Sequence, residues 1–216
     1  MTKMQITSAE APLDCPLCPR LKDFREDNQK TYPDFFNAPV PGFGDRNAKF
    51  LIVGLAPGLK GANRTGRPFT GDYAGDLLYP TLLKFGFAEG TYRARPDDGM
   101  ELRGAFITNA VRCVPPQNKP VGEEIKTCRP FLLNQIKAMK NLEIILALGG
   151  IAHKSVVATF GKRQVEYPFG HGNSKEISPG LTLMDSYHCS RYNTNTKRLT
   201  TEMFEGLFET IREKLY

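Results

Sequence analysis

The chain has 216 residues, of which 40% are hydrophobic, and it carries a formal net charge of +6. This length suits one domain with a substantial core, and no apolar run approaches the ~20 residues that span a bilayer. The N-terminus has no signal-peptide pattern, so we expect a cytoplasmic protein with a single domain over residues 1–216. The basic charge favours an anionic partner, with nucleic acid first.

The predicted elements begin after a poorly patterned N-terminal region. Residues 1–14 are predicted to be a loose leader, and residues 15–48 show little periodicity and are expected to wrap the core. Strands and helices then alternate, with a polar loop over 88–103 and a kink or break at Pro130. The predicted strands are residues 49–53, 105–111, 143–148 and 181–187, and the predicted helices are residues 76–87, 123–140, 151–160 and 198–215.

Alternation of apolar strands with helices predicts βαβ units and a parallel sheet that is covered on both faces. In such sheets, ligands bind beyond the carboxyl ends of the strands. The predicted strands run into the sequences GLAPG, NAVRC, LGG and HCSR, most of them unusually polar, glycine-rich or cysteine-bearing. We therefore expect motifs that are far apart in sequence to converge on one edge of the sheet.

The stretch 54–75, GLAPGLKGANRTGRPFTGDYAG, is the most distinctive part of this edge. Its glycine content excludes a core helix, since each interior glycine costs ~1 kcal/mol relative to alanine. A disordered linker would not normally carry Phe69 and Tyr73. We expect an ordered loop whose backbone amides and few side chains hold an anion or a flat ligand, and the alternative is a connection without a ligand.

Several common site motifs are missing from the sequence. The loop contains neither a dinucleotide-binding nor a phosphate-binding glycine pattern, and no G-x-S-x-G or H-E-x-x-H motif occurs. A nucleotide site and a serine hydrolase of that type are therefore disfavoured. His153 lies in a predicted helix, whereas His188 lies where the fourth strand ends and is a candidate site residue. The alternative for His188 is a purely structural histidine.

The cysteines suggest a metal site rather than disulfides, because the chain has no secretion signal. A zinc ribbon would normally show two C-x-x-C pairs, and only one close pair is present, so an iron–sulfur cluster suits the spacing somewhat better. Unrelated buried cysteines are the remaining alternative, and Cys189 is expected to be a packed thiol. The candidate ligands are Cys15, Cys18, Cys113 and Cys128.

Three segments carry a resemblance to a known family: the loop 54–75, the sequence TNAVRC, and the sequence HCSRYNTNTKRLT. They resemble the signature segments of the family 5, or type b, uracil-DNA glycosylases, which belong to an iron–sulfur branch of their superfamily. The cysteine spacing is also similar to that branch, and the resemblance extends from Cys15 to about Thr200. It implies a three-layer α/β/α sandwich with a central four-stranded parallel sheet, and a [4Fe–4S] cluster held by the four candidate cysteines.

The resemblance also implies a reaction, namely hydrolysis of the bond between a damaged base and its sugar in DNA. Uracil would be excised, and hypoxanthine and other deaminated bases are further candidate substrates. The base would be flipped into a pocket next to Gly54 and Ala56 and stacked on Phe69. Asn109 would read the base edge, and His188 would donate a hydrogen bond to the base oxygen on which charge grows.

One departure concerns the attacking water. Other branches place an acid or an amide in the first signature segment, but here Ala56 and Pro57 offer no such group. The resemblance therefore implies Asp72, in the string FTGD, as the carboxylate that handles the water.

The resemblance further implies a DNA-binding surface, and we expect the protein to act as a monomer. Basic side chains of the glycine-rich loop would contact phosphates, and the loop after His188 would press into the minor groove, where Arg191 or Tyr192 could fill the gap left by the base. The implied DNA-binding residues are Lys60, Asn63, Arg64, Arg67, Ser190, Arg191, Tyr192 and Asn193.

Two alternatives come from other classes of protein. The first is a redox-responsive iron–sulfur protein that binds DNA without catalysis, and it predicts that Asp72, Asn109 and His188 do not share one pocket. The second is a zinc-stapled RNA-binding module, which predicts a colourless purified protein.

Overall fold

The computed structural model describes residues 6–216 and is built around one six-stranded sheet. The sheet order is β1-β5-β2-β6-β8-β7, and a separate pair is formed by β3 and β4. In chain order the strands are β1 (Phe43–Gly44), β2 (Phe50–Gly54), β3 (Ala88–Glu89), β4 (Glu101–Leu102), β5 (Ala105–Asn109), β6 (Ile144–Leu148), β7 (Ser174–Ser178) and β8 (Leu181–Ser186).

The four central strands β5, β2, β6 and β8 are parallel, which confirms the predicted parallel sheet. The expected number of four strands is wrong, because β1 pairs with β5 and β7 pairs with β8, both antiparallel, at the two edges. The sequence conceals these edge strands for a physical reason. β1 has only two residues, and β7 exposes its first three, so neither shows the apolar run of a buried strand.

Helices cover both faces of the sheet and confirm the three-layer sandwich. Helices α3 and α7 pack on the face that carries Phe50 and Ile52, whereas α4 and α5 pack on the face of Leu51 and Val53. The helices are α1 (Pro19–Thr31), α2 (Ala62–Thr65), α3 (Tyr73–Lys84), α4 (Gly122–Ala138), α5 (Gly150–Thr159), α6 (Arg191–Asn195) and α7 (Thr201–Leu215).

Two details of these helices differ from the sequence prediction. Helix α1 lies in a region where no periodicity is visible, because its buried residues are Leu21, Arg25 and Asn28, and only the first is apolar. Helix α4 runs from Gly122 to Ala138 without a break at Pro130. Among residues 6–216, no helix is both long enough and apolar enough to cross a membrane.

The N-terminal segment packs on the domain rather than extending from it. The Asn134 side-chain amide donates to the carbonyls of Ile6 and Ser8, each at 2.9 Å, and the Glu10 carboxylate accepts from the Gly42 amide. The predicted loose leader is therefore wrong for residues 6–14, while residues 1–5 lie outside the described residues.

Candidate functional site

A cavity of about 370 Å³ lies at the carboxyl edge of the sheet, where the segments after the central strands converge. This convergence is the one that the strand pattern predicts. The cavity brings together seven residues predicted from the sequence, namely Ala56, Phe69, Asp72, Asn109, His188, Ser190 and Arg191. Its other lining residues are Leu55, Gly58, Ala62, Tyr73, Ala74 and Asn118.

Gly54 ends strand β2 and aligns with Asn109 at the end of β5. A Cβ atom at this position would collide with the side-chain oxygen of Asn109 and with the ring of Phe69. The absence of a side chain at Gly54 therefore lets the amide and the ring, which both line the cavity, approach each other.

Phe69 is held in a backbone conformation that residues other than glycine rarely adopt. Its φ is +52°, and its carbonyl oxygen lies so close to Gly75 that a Cβ atom there would collide with it. The ring centroid lies 6.0 Å from that of His188, with 31° between the two ring planes. The strained turn thus aims a flat apolar face into the cavity beside the imidazole.

Asp72 is the N-cap residue of α3, and one of its carboxylate oxygens is buried without a hydrogen-bond partner among residues 6–216. Burial raises the pKa of this carboxyl group, and the amides of Gly75 and Ala74 act in the opposite direction. Gly61 leaves room for the carboxylate, since a Cβ atom there would collide with it. Asp72 lines the cavity, and this unsatisfied oxygen keeps its capacity to accept a hydrogen bond.

His188 follows β8, and its pKa is lowered to about 4 by burial. The ring is therefore neutral near pH 7, so one ring nitrogen can donate a hydrogen bond and the other can accept one. The side chain rests against Gly149, whose φ is +94°, and the His188 carbonyl accepts from the Asn193 side chain at 2.8 Å.

The segment after His188 forms the short helix α6. The Ser190 hydroxyl caps this helix by accepting from the Asn193 amide, and the Asn193 carbonyl accepts from Leu199. Arg191 and Tyr192 are exposed, and the Arg191 guanidinium lies 5.3 Å from the ring centroid of Tyr73. The polar residues of this segment thus shape the loop, while Arg191 lines the cavity and Tyr192 is exposed next to it in the chain.

The structure gives Arg67 a role other than the expected contact with phosphate. Its guanidinium is buried and pairs with both oxygens of Asp98, each at 2.8 Å, and it donates to the Thr70 hydroxyl. The rings of Phe43 and Tyr79 lie on it, each 5.1 Å away. Because the group is fully partnered inside the protein, it holds the loop that carries Phe69 and is not free for DNA.

Asn63 is also buried rather than exposed for DNA contact. Its side-chain amide donates to the Asn37 side-chain oxygen at 2.8 Å, and its carbonyl accepts from the Asn37 amide. It therefore joins the glycine-rich loop to the segment before β1. By contrast, Lys60 and Arg64 are exposed on the same loop, as a contact with phosphate requires.

Asn118 also lines the cavity, although it is not among the site residues predicted from the sequence. It lies in the loop between Cys113 and α4, and both Gln117 and Asn118 have positive φ, at 55° and 57°. A proline-rich turn after one of the convergent strands is the signal that could have identified it. Two successive residues in this conformation fix the direction in which the loop projects.

The four candidate metal ligands surround one small cavity, although they are far apart in sequence. Cys15, Cys113 and Cys128 are buried, and Cys18 is partly buried. Among residues 6–216, no three His, Cys, Asp or Glu side chains are placed to hold a single metal ion, so the cluster stays a prediction. Cys189 belongs to the main core and is fully buried, as expected for a packed thiol.

Comparison with known proteins identifies the family of the chain. The model of the uracil DNA glycosylase superfamily matches residues 41–212. The chain is 44% identical over 204 residues to the type-5 uracil-DNA glycosylase of Thermus thermophilus, covering 92% of this chain and 93% of the relative. It is 38% identical over 194 residues to that of Pyrobaculum aerophilum (88% and 84%) and 37% identical over 207 residues to that of Mycobacterium tuberculosis (92% and 77%). The chain therefore belongs to the uracil DNA glycosylase superfamily.

Proposed function

We propose that this protein excises uracil from DNA by hydrolysing the bond between the base and its sugar, which leaves an abasic site. The observation that carries this proposal is the single cavity that Phe69, Asp72, Asn109 and His188 line together. A base inside a duplex is out of reach of such a recess, so the nucleotide has to be flipped into it. The names of the relatives given above support the same substrate.

Base recognition in this proposal combines one stacking face and one amide. The Phe69 ring supports the flat face of the flipped base between the walls formed by Leu55 and Ala56. The side-chain amide of Asn109, which has both a donor and an acceptor, pairs with the edge of uracil. Stacking accepts any base, whereas the amide distinguishes one base edge from another. Phe69 therefore contributes affinity, and Asn109 contributes selectivity.

The chemistry follows from where charge develops. As the C–N bond breaks, the bonding electrons leave with the base and the sugar becomes oxocarbenium-like. The neutral His188 ring donates a hydrogen bond to the base oxygen that becomes negative, and the ionised Asp72 offsets the positive sugar and orients the water. The water oxygen then bonds to the sugar carbon, and its proton is released to Asp72 or to solvent.

Contact with DNA is proposed for the exposed residues around the cavity. Lys60 and Arg64 on the glycine-rich loop provide positive charge for phosphates, and Arg191 or Tyr192 enters the duplex where the base has left. Tyr192 is 73% exposed, so its ring is available for stacking. Arg67 and Asn63 are left out of this surface because both are buried.

A second candidate function is binding of damaged DNA without catalysis. We favour catalysis because Asp72 lines the cavity together with the proposed base-binding groups and has an unpartnered oxygen.

The proposed substrate range extends beyond uracil. The mostly apolar wall of the cavity also suits other deaminated bases, such as hypoxanthine.

Incubation of the protein with a duplex that carries one uracil, followed by alkali, tests this function. We expect one strand break at the uracil and none in the matched duplex with thymine. The same experiment with hypoxanthine defines the substrate range. An intact uracil strand, with the duplex still bound, would favour the non-catalytic alternative.

Phe69→Ala and Asn109→Ala are expected to have different effects on the substrates. Loss of stacking in Phe69→Ala should weaken the binding of every substrate to a similar extent, by about 1–3 kcal/mol for each stacked base. Loss of the amide in Asn109→Ala should instead change the ranking of uracil and hypoxanthine, because an amide reads one particular edge. Single-turnover rates on both substrates measure these effects. If each variant slowed excision of uracil and of hypoxanthine by the same factor, Asn109 would not read the base edge.

We also propose that Cys15, Cys18, Cys113 and Cys128 hold a [4Fe–4S] cluster. The donor set fits such a group, because the cavity has four thiols and otherwise mainly apolar walls. When bound, the cluster would tie the N-terminal segment to the loop after β5 across a span of about a hundred residues.

The purified protein is accordingly expected to be brown, with iron and sulfide in equal amounts. Cys128→Ser should lose iron and lower the thermal unfolding temperature, because the tie between distant segments is lost. Cys189→Ser is the control and should keep the colour, since this thiol lies in another part of the core. A colourless wild-type protein that contains zinc would contradict the cluster.

A further inference from the structure

We propose that Arg25 and Arg112 are buried counter-charges for the anionic group held by the four cysteines, and that they set how easily this group accepts an electron. The inference rests on the iron–sulfur cluster proposed above. It concerns two side chains that have no part in the proposed base chemistry.

Arg112 is the more unusual of the two residues. Its side chain is only 1% exposed, and its Nη2 atom donates to the Ala9 carbonyl at 3.3 Å. Its Nε and Nη1 atoms are buried and have no hydrogen-bond partner among residues 6–216. An uncompensated buried charge is strongly destabilising, so a guanidinium in this position requires a negative partner.

The cysteine cavity is where such a partner fits. Arg112 is one of the residues that line it, and the Arg112 amide donates to the Cys128 sulfur at 3.3 Å. Glu10 is the acid that acts on this guanidinium, but its carboxylate already accepts from the Gly42 amide and from Arg46. An anionic group in the cavity would supply the missing negative charge.

Arg25 reaches the same cysteines from helix α1. Its side chain is 3% exposed, its Nη1 atom donates to the Cys113 sulfur at 3.5 Å, and its Nη2 atom donates to the Cys15 carbonyl at 3.2 Å. The other basic residues of this helix pair with acids instead. Lys30 is exposed and pairs with Asp27 on the surface. Burial beside sulfur is therefore specific to Arg25 on this helix.

The charges balance in a simple way. Four thiolates around a doubly positive cluster core leave two net negative charges, which two guanidinium groups offset. Addition of an electron makes the group more negative, so nearby positive charge favours the reduced state and raises the reduction potential. Removal of either charge should lower the potential of whichever redox couple the cluster shows.

The test compares full-length wild-type protein with Arg25→Gln, Arg112→Gln, Arg112→Lys and the surface control Lys30→Gln. Iron content and visible spectrum are measured first, and the midpoint potential is then measured by spectroelectrochemistry without DNA. We expect each glutamine variant to have a lower potential by at least roughly 59 mV, which is a tenfold change in a one-electron equilibrium. Arg112→Lys and Lys30→Gln should stay closer to wild type.

Other outcomes are also decisive. Loss of iron from Arg112→Gln, with iron retained in Arg112→Lys, would support the counter-charge role, because the lysine keeps the positive charge and the glutamine removes it. Loss of iron from both Arg112 variants would show that the charge is not what matters and would overturn the counter-charge role. Glutamine variants with wild-type iron content and wild-type midpoint potential would also overturn it. A colourless wild-type protein would overturn the cluster itself, and a brown wild type with unshifted variants would overturn this inference alone.

Discussion

Asp72→Asn is expected to slow single-turnover excision of uracil by about 10²–10⁴-fold, while binding of DNA stays close to wild type. The substitution keeps the shape of the side chain and removes its charge. Both proposed roles of Asp72, orientation of the water and stabilisation of the positive sugar, require the ionised carboxylate. Asp72 lines the cavity and has one buried, unpartnered oxygen, and no other acid among residues 6–216 lines this cavity.

Asp76→Asn is the matched control for this experiment. Asp76 lies in the first turn of the same helix, but it is exposed and does not line the cavity. Excision rates are measured with enzyme in excess over a uracil duplex, so that product release does not limit them. Near wild-type cleavage by folded Asp72→Asn would remove Asp72 from the mechanism and leave the reaction to His188 and a water held by backbone groups.

The pH dependence of the excision rate provides a second test of the role of Asp72. Burial raises the pKa of Asp72, so the wild-type rate should fall as pH decreases through this raised value, because the carboxyl group becomes protonated. The pKa of His188 is lowered to about 4, so this ring becomes charged only when the pH approaches that value. A loss of rate that begins above this pH should therefore be absent from Asp72→Asn.

Asp98→Asn is expected to destabilise the protein by about 3–5 kcal/mol, the range for breaking a buried ion pair by removal of one partner. The variant leaves the buried Arg67 guanidinium without its negative partner. The paired Arg67 holds the pKa of Asp98 well below its usual range. The stabilisation by this pair is therefore fully present above the pKa of Asp98 in the unfolded chain. It is lost as pH falls through the lower pKa of Asp98 in the folded protein.

Unfolding by urea at neutral pH measures this effect, and Asp97→Asn is the neighbouring control. Asp97 pairs with Arg95 on the surface, where an ion pair is worth about 0–1 kcal/mol. Because Arg67 also bonds to Thr70 beside Phe69, Asp98→Asn should slow excision of uracil and hypoxanthine by a common factor under conditions in which it is folded. Stability within about 1 kcal/mol of wild type would contradict the importance of the pair.

The sequence predicts the centre of the fold well because burial leaves a pattern. Strands β2, β5, β6 and β8 are buried on both faces and are therefore continuous apolar runs, which also locates the edge where Asn109 and His188 meet. Strand β7 and helix α1 are mostly exposed and polar, so their sequences resemble loops. Only their pairing and packing with distant segments reveals them.

The sequence is less informative about which charges are exposed. Arg64 and Arg67 lie three residues apart in one loop, yet the first faces solvent and the second is enclosed. The difference arises from Asp98, Phe43 and Tyr79, which surround Arg67 but are distant in sequence. Asn118 was missed for a similar reason, since only the conformation of its loop brings it to the cavity.

The central claim is that the cavity at the sheet edge holds a flipped uracil between Phe69 and the groups that act on it. A crystal structure with a duplex that carries 2′-fluoro-deoxyuridine tests this most directly, because the electron-withdrawing fluorine disfavours the positive sugar and slows cleavage. We predict uracil stacked on Phe69, within hydrogen-bond distance of Asn109 and His188, with Asp72 facing the sugar. A uracil that stays in the duplex, or binds outside this cavity, would contradict the account.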